Sequence, residues 1–359
     1  MIKTYQKYLI KTFLKKIINV SLIFLSLIII LNVFEEISYF KGVNAKTLYP
    51  FLLTIISAPS ILFEIFPFIF LISSLLFFLE LINKNELEVF KVNGLSNIKI
   101  IITLFFTSLI VGFFLITVFY HISSKLKFTY LELKNNYSTD DKYLAMVTDN
   151  GIWIKDEYNE NVYIISATKI ENNYLKNVLI TEFNSEFNLM RMIKSPEVDI
   201  ANFEWIIYSP IISSNNIKND EIASVKLQTH FNQKKINQLF SDLSSLNVFQ
   251  LIKLSKDYKN LGYTTTEVRS HLNKIFSLPV YLSIMTIFSG IIMLNIKKNK
   301  PMIFYIILSI LISVVIYYLN YLFNLMGENG KLPIFISIWG PLFILTILIS
   351  IGLIRLDEK

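Results

Sequence analysis

The chain has 359 residues, of which 53% are hydrophobic and only 17% charged, with 30 Phe and 19 Tyr. Soluble domains average about 25% charged residues, so this composition excludes an ordinary soluble protein and indicates a membrane protein. The net charge of +7 does not point to nucleic acid, because Ser123–Lys274 holds 18 basic and 18 acidic residues and the excess lies in the apolar remainder; with no cysteine, disulfides and thiolate metal sites are excluded.

Met1–Lys16 carries five lysines and no acid ahead of the apolar run Ile17–Phe34. That run is longer than a signal-peptide core and is followed by Glu35-Glu36 without a small-residue cleavage site, which predicts a retained first span. Leu48–Ile82 exceeds the roughly 20 residues a bilayer needs and contains Pro59 and Pro67, so a tilted or kinked second span is expected. Ile98–Ile122 reads as the third span. Ile275–Ile296, Met302–Leu325 and Leu332–Ile354 read as the fourth to sixth.

Between the second and third spans lies the polar stretch Asn83–Asn97. Asn85 stands where it can cap the next turn, with Glu88 three residues on at capping-box spacing. Glu86 and Glu88 suit the positive end of a helix, Lys91 suits the negative end, and Gly94 suits the left-handed close. A helix this short does not persist alone in water. Leu87, Val89, Phe90 and Val92 therefore lean on something. It is either a capped turn between two spans or a docking helix for a partner, in which Phe90 is the largest anchor and Glu86 faces a basic group.

The short loops on this side, with both termini, hold thirteen Lys and Arg; the opposite short loops hold only Lys41, Lys46 and Lys331. The positive-inside rule then places both termini and this helix in the cytoplasm. The expected layout is spans one to three within residues 1–122 with the cytoplasmic helix at 84–94, an extracytoplasmic domain with linker helices at 123–274, and spans four to six within 275–359.

The insert reads as β structure. Asn150-Gly151 is a two-residue hairpin signal between Leu144–Thr148 and Ile152–Lys155. Val162–Ile165, Val178–Phe183, Leu189–Ile193, Trp205–Tyr208 and Ile222–Leu227 follow as alternating or apolar runs, suggesting an antiparallel sandwich or partly open roll. Alternation assigns Trp153, Ile164, Val178 and Trp205 to the interior. Phe249–Leu261 is a helical pattern, and Thr264–Asn273 leads into the fourth span.

No glycine loop has phosphate-binding spacing, His121, His230 and His271 lack metal-ligand spacing, and no nucleophile motif is present. The sequence therefore reads as a non-enzyme without a cofactor. What remains is polarity inside the spans. Glu64 lies within the second, and Glu35, Glu36 and Lys41 stand at the outer end of the first. Ser309, Ser313, Tyr317, Asn320 and Asn324 recur on one face of the fifth. That face either bonds neighbouring helices or forms a wall for an amphipathic substrate.

These residues resemble a known pattern. Glu86-Leu87-Glu88-Val89 with Gly94-Leu95-Ser96, Gly151-Ile152-Trp153-Ile154-Lys155-Asp156 followed by Val162-Tyr163-Ile164, and the Pro59…Pro67 spacing are similar to the lipopolysaccharide-export permeases of the LptF/LptG family, on the LptG side. The resemblance covers essentially the whole chain. It implies an α-helical membrane protein with six transmembrane helices in 3+3 order and an inserted all-β periplasmic jellyroll.

It further implies one of two permease subunits that pair with a dimeric cytoplasmic ATPase (LptB-like). Its other implied partners are a second permease (LptF-like), a single-span periplasmic bridge component (LptC-like), a soluble bridge (LptA-like) and lipopolysaccharide. Glu86, Leu87, Val89, Phe90 and Gly94 fall in the ATPase-coupling segment. The substrate-lining candidates are Asn32, Glu35, Lys41, Ser60, Glu64, Tyr317, Asn320 and Asn324. Basic residues carried by better-known LptG proteins fall at Asn32, Ser38, Tyr39 and Ser60 here. The contrasting reading is a membrane scaffold whose β domain organises envelope partners without moving anything.

Overall fold

The computed structural model describes residues 3–40, 48–135, 152–158, 161–171, 173–214, 217–219, 223–233, 236, 242–260, 265–295 and 302–357. They form two compact units, Met1–Lys127 with Thr266–Lys359, and Phe128–Thr265.

The first unit is helical because a long apolar segment in lipid can satisfy its backbone only internally. Helix α1 (Thr4–Tyr39) and helix α2 (Tyr49–Asn83) are joined at their cores by edge-on rings, Phe13 against Phe70 and Phe77, and Phe24 against Phe68. Pro59 and Pro67 lie inside α2. Around them the hydroxyls of Thr54, Ser57 and Ser60 donate to the helix's own carbonyls at 2.8, 3.1 and 2.8 Å, which keeps these polar groups satisfied in an apolar setting.

A short helix α3 (Glu86–Val92) precedes α4 (Asn97–Phe114), which Ser96 caps by accepting from the Lys99 amide. A π turn at Leu115–Phe119 carries α4 directly into α5 (Tyr120–Asn135), so the third span is one apolar helical run of 38 residues, Asn97–Lys134. It continues past the expected end at Ile122, and Tyr130 supplies a buried anchor on that extension.

Three further spans complete this unit: α7 (Thr266–Leu294), α8 (Met302–Glu328) and α9 (Ile334–Asp357). Among the described residues, six helices are long and apolar enough to cross a membrane. The third and fourth spans approach closely at Gly112, where an added Cβ would stand 2.6 Å from the Pro279 Cα. Beside it the Ser108 and Thr286 hydroxyls hydrogen-bond at 2.8 Å, a small-residue interface of the kind that membrane helices use.

The second unit contains one antiparallel sheet with the order β1-β2-β4-β5-β6-β9, β3 pairing with β4, and β7 pairing with β5 and β8. Its strands are β1 (Ile152–Tyr158), β2 (Asn161–Ala167), β3 (Lys169–Glu171), β4 (Tyr174–Phe183), β5 (Leu189–Asp199), β6 (Glu204–Tyr208), β7 (Ile211–Ser214), β8 (Ile217–Asn219) and β9 (Ser224–Gln228). Strand β5 is shared, its 197–199 end pairing with β6 and its 192–194 end with β7. The division falls at Pro196, which has no N–H to donate. There the Ser195 hydroxyl donates to the Tyr208 carbonyl at 2.6 Å and accepts from the Glu197 amide at 3.1 Å.

Helix α6 (Val248–Asn260) buries Leu251 and Leu254. The Asn150-Gly151 hairpin and the 144–148 strand lie outside the described residues.

The core side of the sheet follows strand parity. Ile154, Ile165, Ile180 and Ile193 pair in sequence across β1, β2, β4 and β5 and are each at most 1% exposed. Val178 and Trp205 are buried as alternation predicts, and the Trp205 indole donates to the Phe231 carbonyl at 2.8 Å. Trp153 and Ile164 correct that prediction: Trp153 is 55% exposed and Ile164 half-buried. Their neighbours Ile154 and Ile165 take the core positions, because a shift of one residue exchanges the faces of a strand.

Candidate functional site

The descent from α2 into α3 is built around Asn85. It adopts a left-handed backbone (φ +55°) and makes no side-chain cap, contrary to the expected capping box. The left-handed turn directs its side chain away from the first amides of α3. Asn85 instead closes α2, its amide bonding to the Ile82 carbonyl at 3.0 Å. Gly94 (φ +77°) closes α3 as predicted, and the Leu95 amide reaches the Phe90 carbonyl at 2.9 Å.

Two contacts that the sequence pattern did not single out hold this segment. The Tyr8 hydroxyl donates to Glu86 Oε2 at 2.7 Å, and its ring lies 6.3 Å from Phe90. Glu80 pairs with Lys16 at 2.5 Å and Lys84 at 2.6 Å, tying α1 and α2 together beside α3 and holding the Lys84 ammonium above the ordinary lysine range. Neither Tyr8 nor Glu80 falls in a recognisable motif, so only the fold brings Tyr8 to Glu86 and Lys16 to Glu80.

The seven-residue helix α3 has no buried residue. Leu87 and Phe90 are half-buried, whereas Val89 is 57% and Val92 88% exposed. Two valines on a lone helical turn thus face outward.

The candidates inside the membrane separate into two groups. Asn32 is half-buried and Glu35 exposed on α1, Ser60 is buried with its hydroxyl turned back into α2, and Lys41 lies outside the described residues. Glu64, Tyr317 and Asn320 lie together, with Asn324 one turn further along α8. Glu64 is exposed on α2 and within electrostatic reach of Tyr317 on α8. Asn320, one turn on, neighbours the Tyr281 hydroxyl of α7. Tyr281 is 6% and Asn324 7% exposed. Among the described residues, the Oδ1 atoms of Asn320 and Asn324 have no hydrogen-bond partner. Ser309 and Ser313 earlier on that face donate to carbonyls of their own helix.

In the β unit a polar row crosses the core face beside the isoleucines. Glu182 is 5% exposed and accepts from Asn161 Nδ2 at 2.9 Å, from the Tyr163 hydroxyl at 3.1 Å and from Arg191 Nε. Burial pushes the Tyr163 phenol above its ordinary range, and the Glu182 charge adds to the rise. Fully buried Asp156 accepts from the backbone amide of His230 at 2.9 Å and faces its Nδ1 at 3.0 Å.

Six spans divided around an antiparallel insert, with a short helix mounted between the second and third, define a multi-pass membrane protein carrying a mid-chain β domain. A family model described as Lipopolysaccharide export system permease LptF/LptG matches residues 7–355, and the chain belongs to that family. It is accordingly a permease component of lipopolysaccharide export and a multi-pass protein of the inner membrane. No curated protein matches the sequence.

Proposed function

We propose that this chain is the LptG-type subunit of an ATP-driven exporter, with α3 as the helix through which a cytoplasmic ATPase dimer acts on the membrane spans. The observation that carries this reading is the outward presentation of Val89 and Val92 on a turn fixed from behind by Tyr8 and by the Lys16–Glu80–Lys84 cluster. An unpartnered seven-residue helix cannot sustain itself, so bracing it with two apolar side chains exposed suits docking into a groove. Both termini face the cytoplasm in this reading and the β unit faces the periplasm.

The first and fifth spans are the least buried, with 17% of an 18-residue apolar stretch of each covered. They offer surfaces for a second permease and for the single-span bridge component, and the β unit passes lipid towards the soluble bridge.

The test is co-expression of the full chain with the second permease and the ATPase. Val89→Asp with Val92→Asp is expected to abolish ATPase copurification while leaving membrane levels of the permease normal, since neither side chain is part of the core. Undiminished ATPase association would reduce α3 to a connecting turn and favour the scaffold reading.

A further inference from the structure

An apolar groove of about 400 Å³ opens between the fourth and sixth spans. Val280 of α7 lines it, with the stripe of α9 that runs from Phe335 through Trp339 and Leu342 to Thr346. Gly340 stands in its wall, and a Cβ there would meet only Ile336, at 3.7 Å, so the missing side chain leaves a notch. Phe335 and Phe343 border the groove and are each 68% exposed. The rings of Phe335 and Trp339 stack at 6.1 Å, and the Trp339 indole donates to Asn273 Oδ1 of α7 at 3.4 Å, which fixes that end of the wall.

The groove has the length of one leaflet and the width of one chain. From Phe335 to Thr346 the rise along α9 is about 16 Å, against about 15 Å for half the hydrocarbon core. Its mouth lies where α9 begins, at the end of the spans opposite α3. A neighbouring helix about 10 Å across would need about 1,200 Å³ over that length, three times what the groove holds. A single hydrocarbon chain about 4–5 Å wide needs roughly 200–300 Å³ and restores the dispersion contacts that an open groove forfeits.

The mouth is cationic. Arg269 lies one turn ahead of Asn273 on the same face of α7, and Lys331 stands in the turn before α9; both are exposed. Glu267, the acid of α7, is offset by about 200° around that helix. Glu328 ends α8, and the residues lining the groove come from α7 and α9. A tryptophan near the membrane boundary, cations above it and an apolar slot one leaflet deep below it complement a lipid with an anionic headgroup.

We infer that the groove between the fourth and sixth spans is a resident-lipid site that holds one acyl chain of an anionic phospholipid, with Arg269 and Lys331 at its headgroup. The two chains of a phospholipid part at the glycerol, so one enters the groove while the other stays in the bilayer. The several chains of a glycolipid form a block wider than the groove. The site goes beyond the transport reading and does not depend on it: the lipid acts as a wedge that joins α9 to α7.

The test uses the full chain in detergent, stripped of lipid and carrying Trp153→Phe. Trp205 is fully buried in the β unit, so quenching by phospholipids brominated on their acyl chains reports on Trp339. Brominated phosphatidylglycerol is expected to quench saturably at one lipid per chain, and to bind more tightly than brominated phosphatidylcholine. A cation beside anionic lipid is worth about fivefold in affinity, so Arg269→Gln, at an exposed position, should reduce the preference by about that factor. Gly340→Phe fills the notch and should abolish saturable quenching by either lipid; Arg269→Gln keeps the test decisive should that variant not fold. Quenching that follows lipid mole fraction, without saturation or headgroup preference, means surrounding bilayer lipid only and overturns the inference. Displacement by lipid A at lower concentrations than by phosphatidylglycerol overturns it in favour of the transported glycolipid. Loss of the quenching when the second permease is bound overturns it in favour of a partner span.

Discussion

Replacing Glu182 by Ala strands three donors at once. Asn161 is half-buried and Arg191 is 38% exposed at its side chain, so both can recover water; the Tyr163 hydroxyl, on a residue only 6% exposed, cannot. An unsatisfied buried hydroxyl costs about 1–3 kcal/mol, and breaking an ion pair with one partner buried adds to it, so the loss should be about 2–4 kcal/mol. For a unit of this size that corresponds to a fall of about 5–15 °C in its unfolding midpoint. The assay is intrinsic fluorescence of the full chain carrying Trp153→Phe and Trp339→Phe, which leaves fully buried Trp205 as the sole tryptophan reporter. Glu204→Ala, which removes a more exposed pair with Lys226 at 3.3 Å, is the control and should change stability by less than about 1 kcal/mol. An unchanged midpoint for Glu182→Ala would refute the view that the polar row is a cohesive part of this core.

Two further expectations concern topology and packing. In this cysteine-free chain, Ser185→Cys should react with an impermeant thiol reagent in spheroplasts and Val92→Cys only after permeabilisation; the opposite pattern would invert the proposed orientation. Gly112→Ala should destabilise the helical unit by about 1–3 kcal/mol in a detergent melt, because its Cβ meets the Pro279 backbone, whereas Gly340→Ala, with its nearest atom at an ordinary 3.7 Å, should be close to neutral.

The spans were legible because an uninterrupted apolar run has few other fates, and the strands because turns and alternation bound them. Which face of a strand turns inward was not legible where apolar residues are adjacent: Trp153-Ile154 and Ile164-Ile165 each allow two parities, and only pairing with β4 selects one. Asn85 was read as a cap from its residue type and its spacing to Glu88, yet a helix ends just before it, and the end of α2 takes its backbone. Tyr8 and Glu86 are 78 residues apart, and Tyr281 approaches Asn320 from another span, so their association is a product of helix packing that local pattern does not encode.

The close contact between the third and fourth spans has a consequence for biogenesis. Helices α1 and α2, with their interlocked phenylalanines and the Lys16–Glu80 pair, are neighbours in sequence and can associate as soon as both have left the ribosome. Gly112 and Ser108 have no such local partner, because Pro279 and Thr286 are synthesised only after the whole β unit. At about 5–20 residues per second that interval is roughly 10–30 s. During it the third span sits in the membrane with a small-residue face open to lipid or to whatever chaperones the inserting chain. The centre of the bundle therefore closes only after the β unit is made, and a slowed or misfolded β unit would be felt first as an unassembled membrane domain.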